Sequence, residues 1–325
     1  MTHSLYRSAA RDLSTGLSPE EMRRAIASGK GTLWVDVDDS DSASMVLLQE
    51  VFRFHPLAIE DCFNDRVDTA KIDDYGSYLF IVSQSVGYAA RSAQLVLTEL
   101  NLFLGTNYLV SVHQQPLPPL NELFERCQKD DHLLARGADF LSHTILDGLV
   151  DELLPAVELM DEELNELQRR ILERPQQPQL TEVLLFKRNT LRLRRSITAQ
   201  RDIANRLSRA EFRTLIRPEA DIFYRDIYDH VVRVEQMLDG LRDLADGALT
   251  SYLSAANNRM QEVMKALTVV AVIFLPLTLI ASIFGTNLDY SPFGLILDAG
   301  FFVMLASMLL IAVAMVAYFR HRGWF

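Results

Sequence analysis

Ala266-Leu-Thr-Val-Val-Ala-Val-Ile-Phe-Leu-Pro-Leu-Thr-Leu-Ile-Ala-Ser-Ile-Phe284 contains no charged residue. At about 19 residues and about 1.5 Å of rise each, such a run crosses roughly 30 Å of hydrocarbon as one α-helix. A second uncharged run of about 21 residues, 299–319, follows it. Two such runs paired near the end of a chain predict transmembrane spans, not the buried core helices of a soluble protein. Arg259 and Lys265 precede the first span; Arg320, His321 and Arg322 follow the second. The loop between, 285–298, has no Lys or Arg and carries Asp289 and Asp298. Basic residues stay on the cytoplasmic side, so both termini are expected in the cytoplasm and the loop outside. Two spans cannot enclose an aqueous path alone; transport therefore predicts a cyclic homo-oligomer in the lipid bilayer.

Most of the 325 residues lie before these spans, enough for a sizeable soluble core. The formal charge of −11 argues against a nucleic-acid partner and suits cations better than phosphates. Cys62 and Cys127 are far apart and lack a CxxC partner, which excludes a disulfide framework or thiolate zinc cluster. The polar start, Met-Thr-His-Ser, has no apolar signal region, so the large domain is expected to remain cytoplasmic.

Residues 1–140 read as a mixed α/β domain. Strands are predicted at 32–37, 78–83, 94–103 and 107–112, the last two joined by a turn at Gly105-Thr-Asn107, with helical character at 42–51 and 56–62. From 141 to 265 the pattern is helical and charged. Glu173-Arg-Pro-Gln-Gln-Pro-Gln179 interrupts it and predicts the tip of an antiparallel helix hairpin. The basic run Lys187, Arg188, Arg192, Arg194, Arg195 and Arg201 and the acidic run Asp161, Glu162, Glu163 and Glu166 read as complementary faces of that hairpin. No proline occurs between Pro218 and Pro276, and apolar residues recur at helical spacing from Ile222 to Leu253. One helix from 219 to 284 would be roughly 100 Å long and would join the cytoplasmic part to the first span. Gly240, Gly247 and Pro276 are its candidate bend points.

Several motifs then resemble the CorA family of divalent-cation transporters. They are His55-Pro-Leu-Ala-Ile-Glu-Asp61, Lys71-Ile-Asp-Asp-Tyr-Gly-Ser-Tyr-Leu-Phe-Ile81, Tyr224-Arg-Asp-Ile-Tyr-Asp-His230 and Ser254-Ala-Ala-Asn-Asn-Arg-Met-Gln-Glu-Val-Met-Lys265. Phe274-Leu-Pro-Leu-Thr-Leu-Ile-Ala281, Gly285-Thr-Asn287 and the basic, aromatic ending Tyr318 to Phe325 continue the series in family order. The resemblance implies an α+β membrane protein: an N-terminal αβα cytoplasmic domain, a long stalk helix and a transmembrane pore domain at 266–325, assembled as a homopentamer in a bacterial inner membrane. The chain departs from the family at the outer mouth, where Gly285-Thr286-Asn287 replaces Gly-Met-Asn. That variation is similar to the zinc-handling ZntB branch and leaves Mg²⁺, Co²⁺ and Zn²⁺ as candidate ions.

The same resemblance assigns roles. Gly285, Thr286 and Asn287 form the selectivity mouth, with an Asn287 ring binding the hydration shell of a cation. Thr278, Leu275, Leu267, Met264 and Gln261 line the pore, the apolar members forming a dewetting gate. Asp61 and Asp226 of neighbouring subunits hold a regulatory divalent metal, Mg²⁺ or Zn²⁺, that clamps the closed state. Two rival readings stay open: a ZntB-like zinc transporter without gating by intracellular Mg²⁺, and a membrane-anchored sensor or tension-gated channel. An enzyme is not expected, because GxGxxG, P-loop, HExxH and GxSxG motifs are absent and the seven histidines show no ligand spacing.

Overall fold

The computed structural model describes residues 2–38, 42–64, 67–89, 93–285 and 297–324. Two compact units result, Met1–Glu173 with Gln177–Leu249 and Arg174–Gln176 with Thr250–Phe325. The first contains a seven-stranded sheet of β1 (Thr2–Arg7), β2 (Leu13–Thr15), β3 (Thr32–Val37), β4 (Lys71–Asp74), β5 (Tyr78–Ala89), β6 (Gln94–Gly105) and β7 (Tyr108–Val112). Their spatial order is β2-β1-β3-β7-β6-β5-β4. Only β3 and β7 pair in parallel; every other neighbour is antiparallel. All six residues of β3 and all five of β7 are buried, as central strands covered on both faces require.

One face carries Leu33, Val35, Val37, Phe80, Phe103 and Val110 against α1 (Pro19–Ser28), α2 (Ser42–Glu50) and α3 (Pro56–Cys62). α1 begins with a capping box in which the Ser18 hydroxyl takes the Glu21 N–H and the Glu21 carboxylate takes the Ser18 N–H. The other face carries Trp34, Leu79, Ile81, Leu102 and Leu109, all fully buried. Against it pack α6 (Ala138–Asp151), α7 (Leu153–Glu173) and α8 (Gln177–Ser208), giving the αβα order. α4 (Pro118–Lys129) and α5 (His132–Arg136) connect β7 to α6. The hairpin break expected at 175–178 falls at 174–176, between α7 and α8; Pro178 instead lies in the first turn of α8, where a missing N–H costs no ladder bond.

A short 3₁₀ turn, Pro218–Ala220, leads into α9 (Asp221–Gly285), a single helix of 65 residues. It continues through Gly240, Gly247 and Pro276 without a break in its helical assignment. Its start is fixed in the first unit. Asp139, 3% exposed, accepts from the Arg217 backbone N–H and guanidinium, and the buried Tyr224 hydroxyl donates to the Asp139 carbonyl at 2.9 Å.

The charged runs pair differently from the expectation. Lys187, Arg194 and Arg201, seven residues apart on α8, meet Asp246, Asp239 and Glu235 of α9 at 2.6, 2.9 and 2.8 Å. The acids of α7 do not supply these partners: Glu163 accepts from the Tyr88 hydroxyl and Glu166 pairs with Arg169 on its own helix. Between the hairpin arms, Arg170–Glu182 is the ion pair found among the described residues. The physical reason is rotational. A seven-residue spacing keeps three cations on one flank of α8, and that flank faces α9 while the buried stripe faces the core. Partly exposed pairs contribute about 0–1 kcal/mol each, so this ladder sets register more than stability.

In the second unit α9 ends at Gly285, and α10 (Leu297–His321) follows. Both contain stretches long and apolar enough to cross a membrane, and only 6% of the most apolar eighteen-residue window in each is buried. A soluble core helix would be covered instead. The Lys265 ammonium, at the head of the first apolar stretch, donates to the Gly323 carbonyl at 3.1 Å and lies over the Trp324 ring. The start of one apolar stretch and the end of the other therefore lie on the same side.

Candidate functional site

The helix that carries the apolar stretch also carries a cluster of metal-ligating groups near its other end. Asp226 and His230 lie one turn apart on α9, with His230 Nε2 3.9 Å from Asp226 Oδ1. Asp147 of α6 meets them. One ligand atom from each of the three residues lies within 4.8 Å of the other two. The junction just described, Asp139–Arg217 with Tyr224, sets the rotation of α9 against α6 that brings them together.

The site is charged and partly open: Asp147 and His230 are half-buried and Asp226 is exposed. Burial raises the pKa of Asp147, opposed by His143 one turn earlier on α6 and reinforced by Asp151. Burial also lowers the pKa of His143, against the attraction of Asp147. The His143 ring packs edge-on against Phe223 and Tyr224, and its Nε2 has no hydrogen-bond partner among the described residues. Two carboxylates and an imidazole converging in this way fit a divalent cation. Oxygens suit Mg²⁺, and the imidazole adds affinity for Co²⁺ or Zn²⁺.

Asp61 sits in different company. At the C-terminal end of α3 it accepts from the Lys71 ammonium at 2.6 Å, and Asp73 is 3.4 Å from the same nitrogen. Burial alone would lower the Lys71 pKa, but the two carboxylates raise it, so the ammonium stays charged. Within one chain, then, Asp226 is joined by Asp147 and His230, and Asp61 by Lys71. Asp147 escaped the sequence reading. The pairs His143/Asp147 and Asp226/His230 each have the i,i+4 spacing of one helix face, a weak signal available in the sequence. Only packing of α6 on α9 joins them.

Along α9 into its apolar run, Gln261, Met264, Leu267, Leu275 and Thr278 are all exposed; Leu275 is 73% exposed. They recur at three-residue steps, apart from the eight residues between Leu267 and Leu275, and so share one stripe of the helix. The Thr278 hydroxyl donates to the Phe274 carbonyl at 2.8 Å, which spends its proton and leaves oxygen lone pairs free to accept. Gly285 is the last residue of α9; Thr286 and Asn287 lie outside the described residues.

A family model described as CorA-like Mg²⁺ transporter protein matches residues 29–321. The putative metal ion transporter YfjQ of Bacillus subtilis is 33% identical over 292 residues, covering 90% of this chain and 89% of that protein. The cobalt/magnesium transport protein CorA of Thermotoga maritima is 32% identical over 293 residues, covering 90% and 83%. The structure of the CorA magnesium transporter from Methanocaldococcus jannaschii superposes with a TM-score of 0.84 at 20% identity, covering 100% of this chain and 99% of that one. Matched along nearly its whole length in both sequence and fold, the chain belongs to the CorA-like Mg²⁺ transporter family.

Proposed function

We propose that the chain is one subunit of a homopentameric channel for Mg²⁺, Co²⁺ or Zn²⁺ in a bacterial inner membrane, with both termini in the cytoplasm. One observation carries the reading: a single unbroken helix holds Asp226 and His230, two of three residues placed to ligate a cation, and runs on to the apolar stripe and Gly285. A cation bound between α6 and α9 would restrain the helix that lines the pore, coupling cytoplasmic metal to opening. In the pore, Thr278 and Asn287 would present rings of neutral oxygens to a hydrated cation. Such groups replace or bind its water and still release it. Thr286, in place of the family's Met, makes that mouth more polar. Lys265 and Gly323 support a cytoplasmic side common to both span ends, where Arg320 and Arg322 also lie.

The Lys71–Asp61 ion pair favours a variant of this scheme. With its charge already neutralised, Asp61 is a poor metal partner for the stalk of a neighbour. Regulation would then rest on Asp147, Asp226 and His230, or be absent as in the ZntB-like alternative. Uptake of Mg²⁺, Co²⁺ and Zn²⁺ by proteoliposomes tests the function. Selective flux abolished by Asn287→Ala is expected. No flux of any ion would favour a membrane-anchored sensor or tension-gated channel.

A further inference from the structure

Helix α8 has three sides, and two are accounted for. One is buried through Val183, Phe186, Leu193, Ile197 and Ala204; the second carries the Lys187, Arg194 and Arg201 pairs to α9. The third is open. Leu184, Arg188, Leu191 and Arg195 follow one another at spacings of four, three and four, with Arg192 beside them. Leu184 and Leu191 are 51% and 42% exposed, and the three arginines are exposed and have no carboxylate partner among the described residues. Two leucines and three unpaired cations of one sign are not an ordinary solvated face, which mixes signs along i,i+4 pairs. The four-three spacing is that of a helix-packing seam.

The other arm of the hairpin has the opposite character. On α7, Glu158 and Glu162 are exposed and unpaired among the described residues, and they flank Leu159, which is 42% exposed. The two open faces do not meet within one hairpin. Its arms bury Val157, Met160, Leu164 and Ile171 on α7 and Val183 and Phe186 on α8, and leave these stripes outward. Each face thus lacks a partner that the other supplies in apolar contact and in charge. In a closed ring every subunit offers one surface to the next and receives a different one, so complementary faces on a single chain satisfy each other head to tail. A nucleic acid would meet the basic face, but a protein of net charge −11 repels it.

We propose that the open face of α8 docks on the open face of α7 of a second copy of this chain, forming a lateral contact between cytoplasmic hairpins. This rests on the homo-oligomer reading above. It makes the hairpins a continuous belt in which movement of one subunit's α8, tied by ion pairs to its own α9, is felt by the next.

The test uses the full-length protein in detergent. Basic-face reversal (Arg188→Glu with Arg192→Glu), acidic-face reversal (Glu158→Arg with Glu162→Arg) and both together are compared with the parent by subunit exchange between two fluorescent labels. Either reversal is expected to speed exchange roughly tenfold, and the combined variant to return near the parental rate. Salt should speed exchange in the parent and in the combined variant. Additive acceleration in the combined variant, or no acceleration in either reversal, overturns the contact. Native mass of the parent complex separates this from the underlying reading: a monomer removes the oligomer itself, whereas an intact oligomer with unaltered exchange removes only the belt.

Discussion

At the scale of single residues, the buried His113–Asp36 pair is the most exacting feature of the sheet. His113 is 3% and Asp36 4% exposed. Nδ1 lies 2.8 Å from the Gln115 carbonyl and Nε2 3.4 Å from Asp36 Oδ2, so both ring nitrogens face acceptors. That geometry suits the imidazolium. The other Asp36 oxygen accepts from Ser111, whose own oxygen accepts from the Trp34 indole at 3.0 Å. Burial alone would lower the His113 pKa, but Asp36 and the carbonyl outweigh it and raise the value. A raised folded-state pKa contributes stability that is fully present below the unfolded value of about 6.5 and is lost as pH rises through the folded one. Thermal melts should therefore fall as pH is raised from about 6 to about 8, and His113→Asn should flatten that slope. The variant should also lose about 3–5 kcal/mol, because it leaves a buried carboxylate short of its charge partner. A pH slope unchanged by the substitution would show that His113 is not the titrating group.

At the scale of elements, α9 decides the behaviour. Leu267, 60% exposed, lies at the start of the apolar stretch and Met264, 56% exposed, lies just before Lys265, both on the stripe proposed for the gate. In an oligomer with this stripe inward, rings of such side chains would exclude water from a narrow passage. Leu267→Asn should hydrate the constriction and raise resting ion leak in proteoliposomes; a leak equal to the parent would place Leu267 away from the pore. The same element is anchored by Arg217 on Asp139. Removing that guanidinium by Arg217→Ala withdraws a charged hydrogen bond from a carboxylate that is 3% exposed, and about 1.5–3 kcal/mol of stability should go with it. The melting temperature of the purified protein reads this directly.

For the molecule as a whole, a cation held by Asp147, Asp226 and His230 would join binding to stability. A ligand that binds only the folded state at about 100 times its dissociation constant adds about 2.7 kcal/mol. Mg²⁺ or Co²⁺ should therefore raise the unfolding temperature of the full-length protein. The combined substitution Asp147→Ala with Asp226→Ala should remove most of the increment, whereas Asp61→Ala should not. If Asp61→Ala alone removed it, regulation would run through the α3 end and an intersubunit site.

Local periodicity and charge already encode several elements of this architecture. The uncharged runs pointed to the two apolar helices, the proline-free stretch after Pro218 predicted one helix over 219–284 where Asp221–Gly285 is found, and the Pro175–Pro178 segment marked the hairpin break to within two residues. The αβα order was legible from the family resemblance, and the central strands from their alternation or apolar runs. The edge strands β2 and β4 were not, since three and four residues draw their stability from neighbouring strands, and neither was β1, whose six polar-mixed residues are held between β2 and β3. Only the tertiary structure decided which charges pair and which ligands converge. Along one helix, Asp226 and His230 are a routine i,i+4 pair, and Lys187, Arg194 and Arg201 are a run of cations awaiting any acid. Asp147 joins the first pair, and α9 claims the second set, because helix rotation and packing distance are set by buried contacts far apart in the chain. No local pattern contains that information.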